Sequence, residues 1–396
     1  MVTRITNTMM QNTLLSNLSL NLNRMDKLQN QLSSGRKFGH ISDDPSALIY
    51  GQAARNKLHR LSHFQGAVET SQSWLTQAET GIMELQKVVG AIYEELISAG
   101  GAKTDDDKRN LGKVVGQLRD HFVDTLNASF GDRFVFAGYN TPGDFAAGRE
   151  ADGIKPFVID ENGDLRLNGL NISQFDGMDA QMFDDVFRKI NVSGLTDADA
   201  ELAILNGLGL PADLTGVAQF EADYGVSMED AIKMNRLISD VKALDVGPGI
   251  TMDITMNGID LLFFAGVDEA TGAPVMRNIY NVIQDIYHGI NGNEISIPPT
   301  TPKDTEQLTI MIKSIQDGQN HLLTRTAEIG GRQRRLELLH ARYAQDNINY
   351  EQMRSDAEDA DIAEVIMYLK MAETVYQAAL SAGARVIQPS LMDFLR

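Results

Sequence analysis

Residues 15–45 read LSNLSLNLNRMDKLQNQLSSGRKFGHISDDP, and this stretch decides the fold of the chain. In its first half, apolar side chains recur at alternating spacings of three and four, which places them on one face of a helix. Ser33-Ser34-Gly35 combines two poor helix formers with a permissive glycine and therefore predicts the end of that helix. Asp43-Asp44-Pro45 predicts the start of a second helix, because a carboxylate can cap its free amides and proline suits its first position.

The same helical spacing recurs on both sides of the centre of the chain. It runs for about five heptads from Leu61 to Leu96, and it returns from Leu308 to Tyr343. A last stripe extends from Ile362 to Val386. Gly330-Gly331 inside the returning helix predicts a kink or a close helix contact, since glycine is unfavourable in a helix interior. Ser355-Asp356-Ala357-Glu358 has the spacing of a capping box and predicts the start of the last helix.

Between these helices the pattern changes from helical to alternating. Phe134 and Phe136 begin the change, and both are expected on one face of a strand. Asn162-Gly163 and Asn257-Gly258 each lie between short apolar runs, which predicts two β-hairpins. Residues 175–246 show short mixed patterns rich in Asp and Gly, and we interpret them as an α/β insertion.

These patterns predict a fold that is mainly α with a β-rich central domain. Both chain ends are expected to form a long antiparallel helical bundle of coiled-coil type, because that pairing buries every apolar stripe. An α+β outer domain is inserted between them. The predicted domains are a terminal helix pair at 1–38 and 357–396, a helical rod at 39–139 and 304–356, and an acidic β-rich outer domain at 140–303.

Charge and composition narrow the class of protein. The formal net charge is −19, and residues 140–300 contain nine Lys or Arg against twenty-six Asp or Glu. Such an acidic block repels nucleic acid and indicates a solvated outer surface. The chain has no cysteine, which excludes disulfides, thiol catalysis and cysteine-ligated metals. No window reaches the roughly 18 apolar residues of a membrane span, and Met1–Gln11 lacks the apolar core of a signal peptide.

The sequence contains few candidates for chemistry. His59 and His63 have the spacing of a metal-binding pair on a helix, but Arg60 stands where the zincin motif has glutamate. Asp105-Asp106-Asp107 lacks the glycine and distal glutamate of a calcium loop and is better explained as a helix start. No Gly-x-Ser-x-Gly elbow occurs. We therefore predict no catalytic residues, no cofactor and no metal, and a protein that is not an enzyme.

The two terminal helices carry the candidate site, which is an assembly interface. A heptad stripe alone more often forms ordinary core or a coiled coil than a polymerisation surface. Its position at the two ends favours assembly, because little chain is left to cover it. The predicted interface residues are Leu15, Leu18, Leu22, Met25, Leu32, Ile362, Val365, Leu369, Ala372, Tyr376, Ala379 and Val386.

Both chain ends resemble one known family. Gln31–Arg36 together with Ser42–Pro45 resembles the N-terminal signature of the bacterial flagellin family. Glu358–Asp361, with the helix leading to Leu391–Arg396, is similar to the other end of that family. The residues that match the family signature are Leu32, Ser33, Ser34, Gly35, Asp43, Asp44, Pro45, Asp359 and Asp361.

Within the family, three features are more similar to junction subunits than to filament flagellins. Asp43-Asp44-Pro45 stands where flagellins typically have Asp-Asp-Ala. Gly131–Gly138 resembles the β segment of the junction subunits, and Ile329–Glu337 resembles their helical Leu-Gly-Ala-Arg block. Residues 170–248 match nothing in the family, so their role stays open.

The resemblance implies a structural subunit of the bacterial flagellum that joins hook to filament as a ring. Its terminal helices would line the inner tube by coiled-coil packing, with a hook-associated protein on the hook side and flagellin on the filament side. It further implies extracellular secretion through the type III flagellar export channel without a cleavable signal peptide, and an export chaperone for the free chain. Neither nucleic acid nor a membrane is an expected partner. The alternatives are filament flagellin itself and a secreted adhesin or carbohydrate-binding protein.

Overall fold

The computed structural model describes residues 7–40, 43–99, 105–131, 133–138, 155–239, 243–267, 273–291 and 302–387. The chain divides into two compact units. The terminal unit comprises Met1–His63 and Ala341–Arg396, and the central unit comprises Phe64–His340.

Helices make up most of the described chain. In order, the α-helices are α1 (Asn7–Ser34), α2 (Pro45–Ala99), α3 (Asp105–Leu126), α4 (Ala180–Phe183), α5 (Asp197–Leu208), α6 (Leu214–Tyr224), α7 (Met228–Ser239), α8 (Gly258–Leu262), α9 (Ile279–Asn291), α10 (Pro302–Glu358) and α11 (Ile362–Ile387). A 3₁₀ turn covers Ser173–Phe175, and a π-helix covers Asp184–Arg188.

Short antiparallel sheets lie among the helices of the central unit. The strands are β1 (Ser129–Phe130), β2 (Arg133–Phe134), β3 (Phe157–Ile159), β4 (Leu165–Leu167), β5 (Leu170–Asn171), β6 (Ala243–Gly247), β7 (Ile250–Asp253), β8 (Phe263–Val267) and β9 (Pro274–Asn278). β4 pairs with both β3 and β5, and the other strands pair as β1–β2, β6–β7 and β8–β9. Long terminal helices around inserted α+β elements confirm the predicted fold class. The boundaries of the three predicted domains stay a prediction.

The boundary between α1 and α2 follows the predicted stop and start signals. Gly35 has a φ of 70°, a left-handed conformation that glycine adopts without strain, and its N–H donates to Gln31 O at 2.9 Å. The Asp44 carboxylate accepts hydrogen bonds from the N–H groups of Ser46 and Ala47 at 3.1 and 3.0 Å. Pro45 is the first helical residue, so the predicted cap and first position are confirmed.

The long helices α2 and α10 bury side chains at every seventh position, as a coiled coil requires. In the central unit the two helices are antiparallel, since Gln86 Nε2 donates to Thr326 Oγ1 at 2.8 Å and Gln333 Nε2 donates to Glu79 Oε2 at 2.9 Å. The predicted stripes are therefore confirmed. The buried heptad positions are Leu61, Val68, Leu75, Ile82, Val89 and Leu96 on α2, and Leu308, Ile315, Leu322, Ile329, Leu336 and Tyr343 on α10.

Three local predictions fail for identifiable reasons. A Cβ added at Gly330 or Gly331 would meet no atom within 4 Å, so the predicted close contact is wrong, and α10 continues through both glycines. The alternative, a kink at these glycines, stays a prediction. The strand that contains Phe134 ends there, so Phe136 does not share a strand face with it. Asn257 does not form a hairpin turn, because its side chain caps α8 by accepting from Ile259 N at 3.0 Å.

The hairpin around Asn162-Gly163 is confirmed by the pairing of β3 with β4. β7, in contrast, pairs with β6, the strand that precedes it in the chain. The register of this pair shifts between Asp245 and Gly247. The sequence Asn-Gly therefore marks a hairpin only where its asparagine is not used as a helix cap.

Asn127 joins the end of α3 to β3 through its side chain. Its Oδ1 accepts from Phe157 N at 2.9 Å, and its Nδ2 donates to Phe157 O at 2.8 Å and to Val123 O at 3.0 Å. The residue is buried, so these bonds replace water for the backbone of Phe157.

Asn127→Ala is expected to lower the free energy of unfolding of the central unit by about 3 kcal/mol, because it leaves buried polar groups of Phe157 without their side-chain partner. Trp74 is the only tryptophan in the sequence and lies in the central unit, so its fluorescence in urea reports this change. The exposed Asn206→Ala is the matched control. Equal midpoints for the two variants would contradict the assigned role of Asn127.

Candidate assembly interface

The two terminal helices α1 and α11 pack against each other in the terminal unit. The contact is centred on Leu28, Val365 and Ala372, whose side chains are buried. Partly buried side chains surround this centre, and together with it they form what we call the seam. These surrounding residues are Met25, Leu32, Ala360, Tyr368 and Leu369.

The contacts along the seam fix its direction. Asn21 Nδ2 donates to Ala372 O at 3.0 Å in the middle of the pair. Farther along, a Cβ added at Gly383 would lie 2.7 Å from Leu14 Cδ2, so glycine allows the two helices to approach closely. Residue numbers rise along α1 as they fall along α11, which makes the helices antiparallel as predicted.

The predicted interface residues fall into two groups in the single chain. Val365 and Ala372 are buried, and the half-buried members are Leu18, Met25, Leu32, Leu369, Tyr376 and Ala379. Leu15, Leu22 and Ile362 are exposed, Leu15 to 60%. The Val386 side chain lies outside the described side chains. The assembly role of the whole set stays a prediction, and the exposed members are the ones that the chain leaves available to another molecule.

Sequence reasoning missed several residues of the helix contact. Leu14, Asn21 and Leu28 lie seven residues apart on α1, and Tyr368 belongs to the contact on α11. The stripe through Leu14 and Leu28 was not predicted because it contains the polar Asn21. The alternative stripe through Leu15 and Leu22 has more apolar members. The signal that could have found it is the exact seven-residue spacing of Leu14, Asn21 and Leu28.

The two signature segments meet in a short antiparallel bridge between Arg36 and Asp359. Lys37 N donates to Glu358 O at 2.7 Å, and Ala360 N donates to Gly35 O at 2.9 Å. The bridge joins the segment after α1 to the segment before α11. The signature residues therefore set where the helix pair begins.

Glu358 and Arg55 form an ion pair next to this bridge. The Glu358 carboxylate is almost completely buried and accepts a hydrogen bond from Arg55 Nη2. A buried carboxylate requires such a partner, because an unpaired charge is costly to remove from water. The ion pair thus attaches the end of α10 to α2 within the terminal unit.

Asp361, and not the segment Ser355–Glu358, caps the last helix. Its Oδ1 accepts from Ala363 N at 2.9 Å and from Glu364 N at 3.2 Å. The predicted capping box is wrong because α10 continues through Glu358, whose side chain turns to Arg55. The signature residue Asp361 therefore has a local role that the family match did not reveal.

Asp43 organises the turn before α2. Its carboxylate forms an ion pair with Lys27 at 3.0 Å and accepts from His40 N at 3.2 Å and Gly39 N at 3.3 Å. The hydrogen bond from Lys27, followed by that from the His40 backbone, lowers the pKa of Asp43 below its ordinary value.

Acidification is expected to loosen this turn. Because the folded pKa of Asp43 is lowered, the charged carboxylate stabilises the turn above the ordinary pKa, and this contribution is lost as the pH falls through the folded pKa. Hydrogen exchange should show the Gly39 and His40 amides protected near neutral pH and unprotected in acid. Asp43→Ala, which removes the acceptor oxygens, should remove the protection at every pH. Full protection in that variant would contradict this role.

α11 carries a second apolar surface that is exposed among the residues that the structure describes. Met367, Met371 and Val375 follow one another at intervals of four, and their side chains are 55%, 50% and 53% exposed. We call these three residues the outer stripe. Helical residues four apart are neighbours on one face, so the stripe is continuous. The side chains of Leu15, Leu20 and Leu22 are likewise exposed on α1.

The described residues provide little for other kinds of site. Within them, no three or more His, Asp or Glu side chains come together to hold a metal ion. None of the helices in the described ranges has both the length and the apolar character that crossing a membrane demands. The candidate functional surface is the helix pair with its outer stripe, which rests on the packing and the exposed apolar side chains described above.

A family model described as the bacterial flagellin N-terminal helical region matches residues 5–141. The chain is flagellin-like. The matched range contains α1, α2 and α3, and it includes the signature residues from Leu32 to Pro45. The resemblance predicted from the N-terminal signature is thus confirmed over these residues.

Relatives of this flagellin-like chain include named flagellar proteins. It is 26% identical over 272 residues to flagellar hook-associated protein 3 of Salmonella typhimurium, covering 60% of this chain and 84% of that protein. It is 28% identical over 213 residues to the flagellar filament 30.7 kDa core protein of Treponema maltophilum. This match covers 52% of this chain and 71% of that protein. A structure described as a flagellar hook-associated protein from Vibrio parahaemolyticus shares the fold with a TM-score of 0.50 and 16% identity, covering 80% of this chain and all of that one.

Proposed function

We propose that this flagellin-like chain is a structural subunit of the bacterial flagellum that joins hook to filament. The relative from Salmonella typhimurium supports a hook-associated place, since its name gives that place for a protein of which this chain covers 84%. The observation that carries the proposal is the outer stripe, because a terminal helix pair that is already packed still presents an apolar line to a further molecule.

The helix pair has the two surfaces that an assembling subunit needs. The seam holds α1 and α11 of one copy together, and the outer stripe of that copy packs on the exposed Leu15 and Leu22 of the next. Such a contact joins two different surfaces, so repetition produces a ring or a tube. The acidic inserted region then lies outside, where its charge keeps the assembly solvated.

The position between hook and filament determines which proteins contact this chain. A hook-associated protein contacts the ring on the hook side and flagellin contacts it on the filament side. The chain leaves the cell through the flagellar export channel, and a chaperone covers the apolar terminal helices beforehand. The role is mechanical and not enzymatic.

The filament subunit is the second candidate, because the relative from Treponema maltophilum is named a filament core protein. The two candidates differ in what the chain does alone. A purified junction subunit does not form long filaments, whereas a purified filament subunit polymerises into long filaments. Long filaments seen by electron microscopy of the pure chain would favour the filament subunit.

Removal of the gene tests the proposed function directly. Cells without the chain should carry hooks that lack filaments and should release unpolymerised filament subunits into the medium. Supplying the intact chain should restore filaments. Filaments of normal length and number in the deletion strain would overturn the proposal.

A further inference from the structure

Two of the three residues of the outer stripe are methionines. The sequence contains 17 methionines and no cysteine, so no thiol competes for an oxidant. Met367 and Met371 are about half exposed and lie one helical turn apart on α11. Their thioether sulfurs therefore belong to one surface and are open to solvent together.

Methionines elsewhere in the chain differ in accessibility or in position. Met234, Met252 and Met276 are buried in the central unit, which shields their sulfurs from solvent. Met9, Met10, Met83, Met182 and Met353 are also exposed, but none of them belongs to the outer stripe. Met83 lies on α2 in the central unit. A soluble oxidant thus reaches the outer stripe while most of the core stays reduced.

We infer that Met367 and Met371 form an oxidation site that decides whether a free chain can assemble, an inference that rests on the proposed function. The oxidant is a peroxide. Each thioether sulfur attacks a peroxide oxygen, the O–O bond breaks and an S–O bond forms. With hydrogen peroxide, the sulfur loses two electrons and becomes a sulfoxide, and the peroxide is reduced to water.

The sulfoxide changes the surface at the point where assembly requires it to be apolar. Its oxygen is a strong hydrogen-bond acceptor, and burial against the leucines of a neighbouring copy leaves that acceptor without a donor. Two sulfoxides per chain are expected to weaken incorporation by at least about a hundredfold. In an assembled copy the same sulfurs are covered, so oxidation acts on chains that have not yet assembled.

The test uses purified full-length chain and hook–basal bodies isolated from cells that lack it. The chain is treated with hydrogen peroxide, its sulfoxides are located by peptide mass spectrometry, and binding is measured by co-sedimentation. The readout is the ratio of treated to untreated binding for each variant. That ratio should fall to about one hundredth for the original chain and for the control Met83→Leu, and stay near one for Met367→Leu with Met371→Leu.

Each outcome has one meaning. Treated chain that carries both sulfoxides and still binds hooks would overturn the inference and leave the proposed function intact. A double leucine variant that loses binding on treatment to the same degree as the original chain would also overturn the inference. Untreated chain that does not bind hooks would count against the proposed function itself.

Discussion

Replacing Leu28 by aspartate is expected to separate α1 from α11 and to abolish motility. Leu28 is buried at the centre of the seam against Val365 and Ala372. The substitution removes its apolar contacts and places a charge where no partner is available, at a combined cost of about 4 kcal/mol. Because isolated helices are marginal in water, both should lose structure once the seam opens.

Circular dichroism and a motility assay measure the two parts of this prediction. The helical signal of Leu28→Asp should fall by the contribution of α1 and α11, while Trp74 fluorescence should show the central unit unchanged. The control is Leu20→Asp, because Leu20 lies on the same helix but is exposed. A full helical signal in Leu28→Asp would mean that the seam does not hold the terminal helices.

Replacing Val375 by aspartate is expected to leave the fold unchanged and to block assembly. Val375 is exposed in the single chain, so the free energy of unfolding should change by no more than about 0.5 kcal/mol. In the assembly the same charge would be buried without a partner, which should reduce incorporation by more than about a hundredfold. This variant thereby separates the outer stripe from the seam.

The matched control for this experiment is Gln377→Asp, which adds the same charge to an exposed position of the same helix outside the outer stripe. Thermal unfolding and incorporation into flagella of a strain lacking the chain are measured for both variants. Equal incorporation of Val375→Asp and Gln377→Asp would show that the outer stripe is not an assembly surface.

The sequence predicts the long helices well because their packing repeats. Every seventh position of α2 from Leu61 to Leu96 is apolar and buried, so phase and face could be read from spacing alone. α1 is harder, since Leu14 and Leu15 both suit the stripe and the seam uses the polar Asn21. The packing of α11 determines whether the stripe through Leu14 or the one through Leu15 faces the seam. The spacing of residues within α1 alone does not distinguish the two.

The helix ends and turns show the same limit. Asp44 and Asp361 cap helices with their own backbone neighbours, and local sequence predicts the first of them correctly. Ser355–Glu358 has the same kind of local signal, but the Glu358 side chain pairs with the distant Arg55. Long-range contacts of this kind override the local preference for a helix cap. For the same reason, the family signature indicated where the site lies but not which hydrogen bonds it forms.

The proposed place of this chain is between hook and filament, and a single label tests it. The chain has no cysteine, and Leu214 at the start of α6 is 86% exposed, so Leu214→Cys provides one reactive thiol on the inserted region. Flagella that carry this variant are treated with biotin maleimide and streptavidin–gold and viewed by electron microscopy, with the unsubstituted chain as control. Gold is expected only at the boundary of hook and filament. Gold along the length of the filament would contradict it.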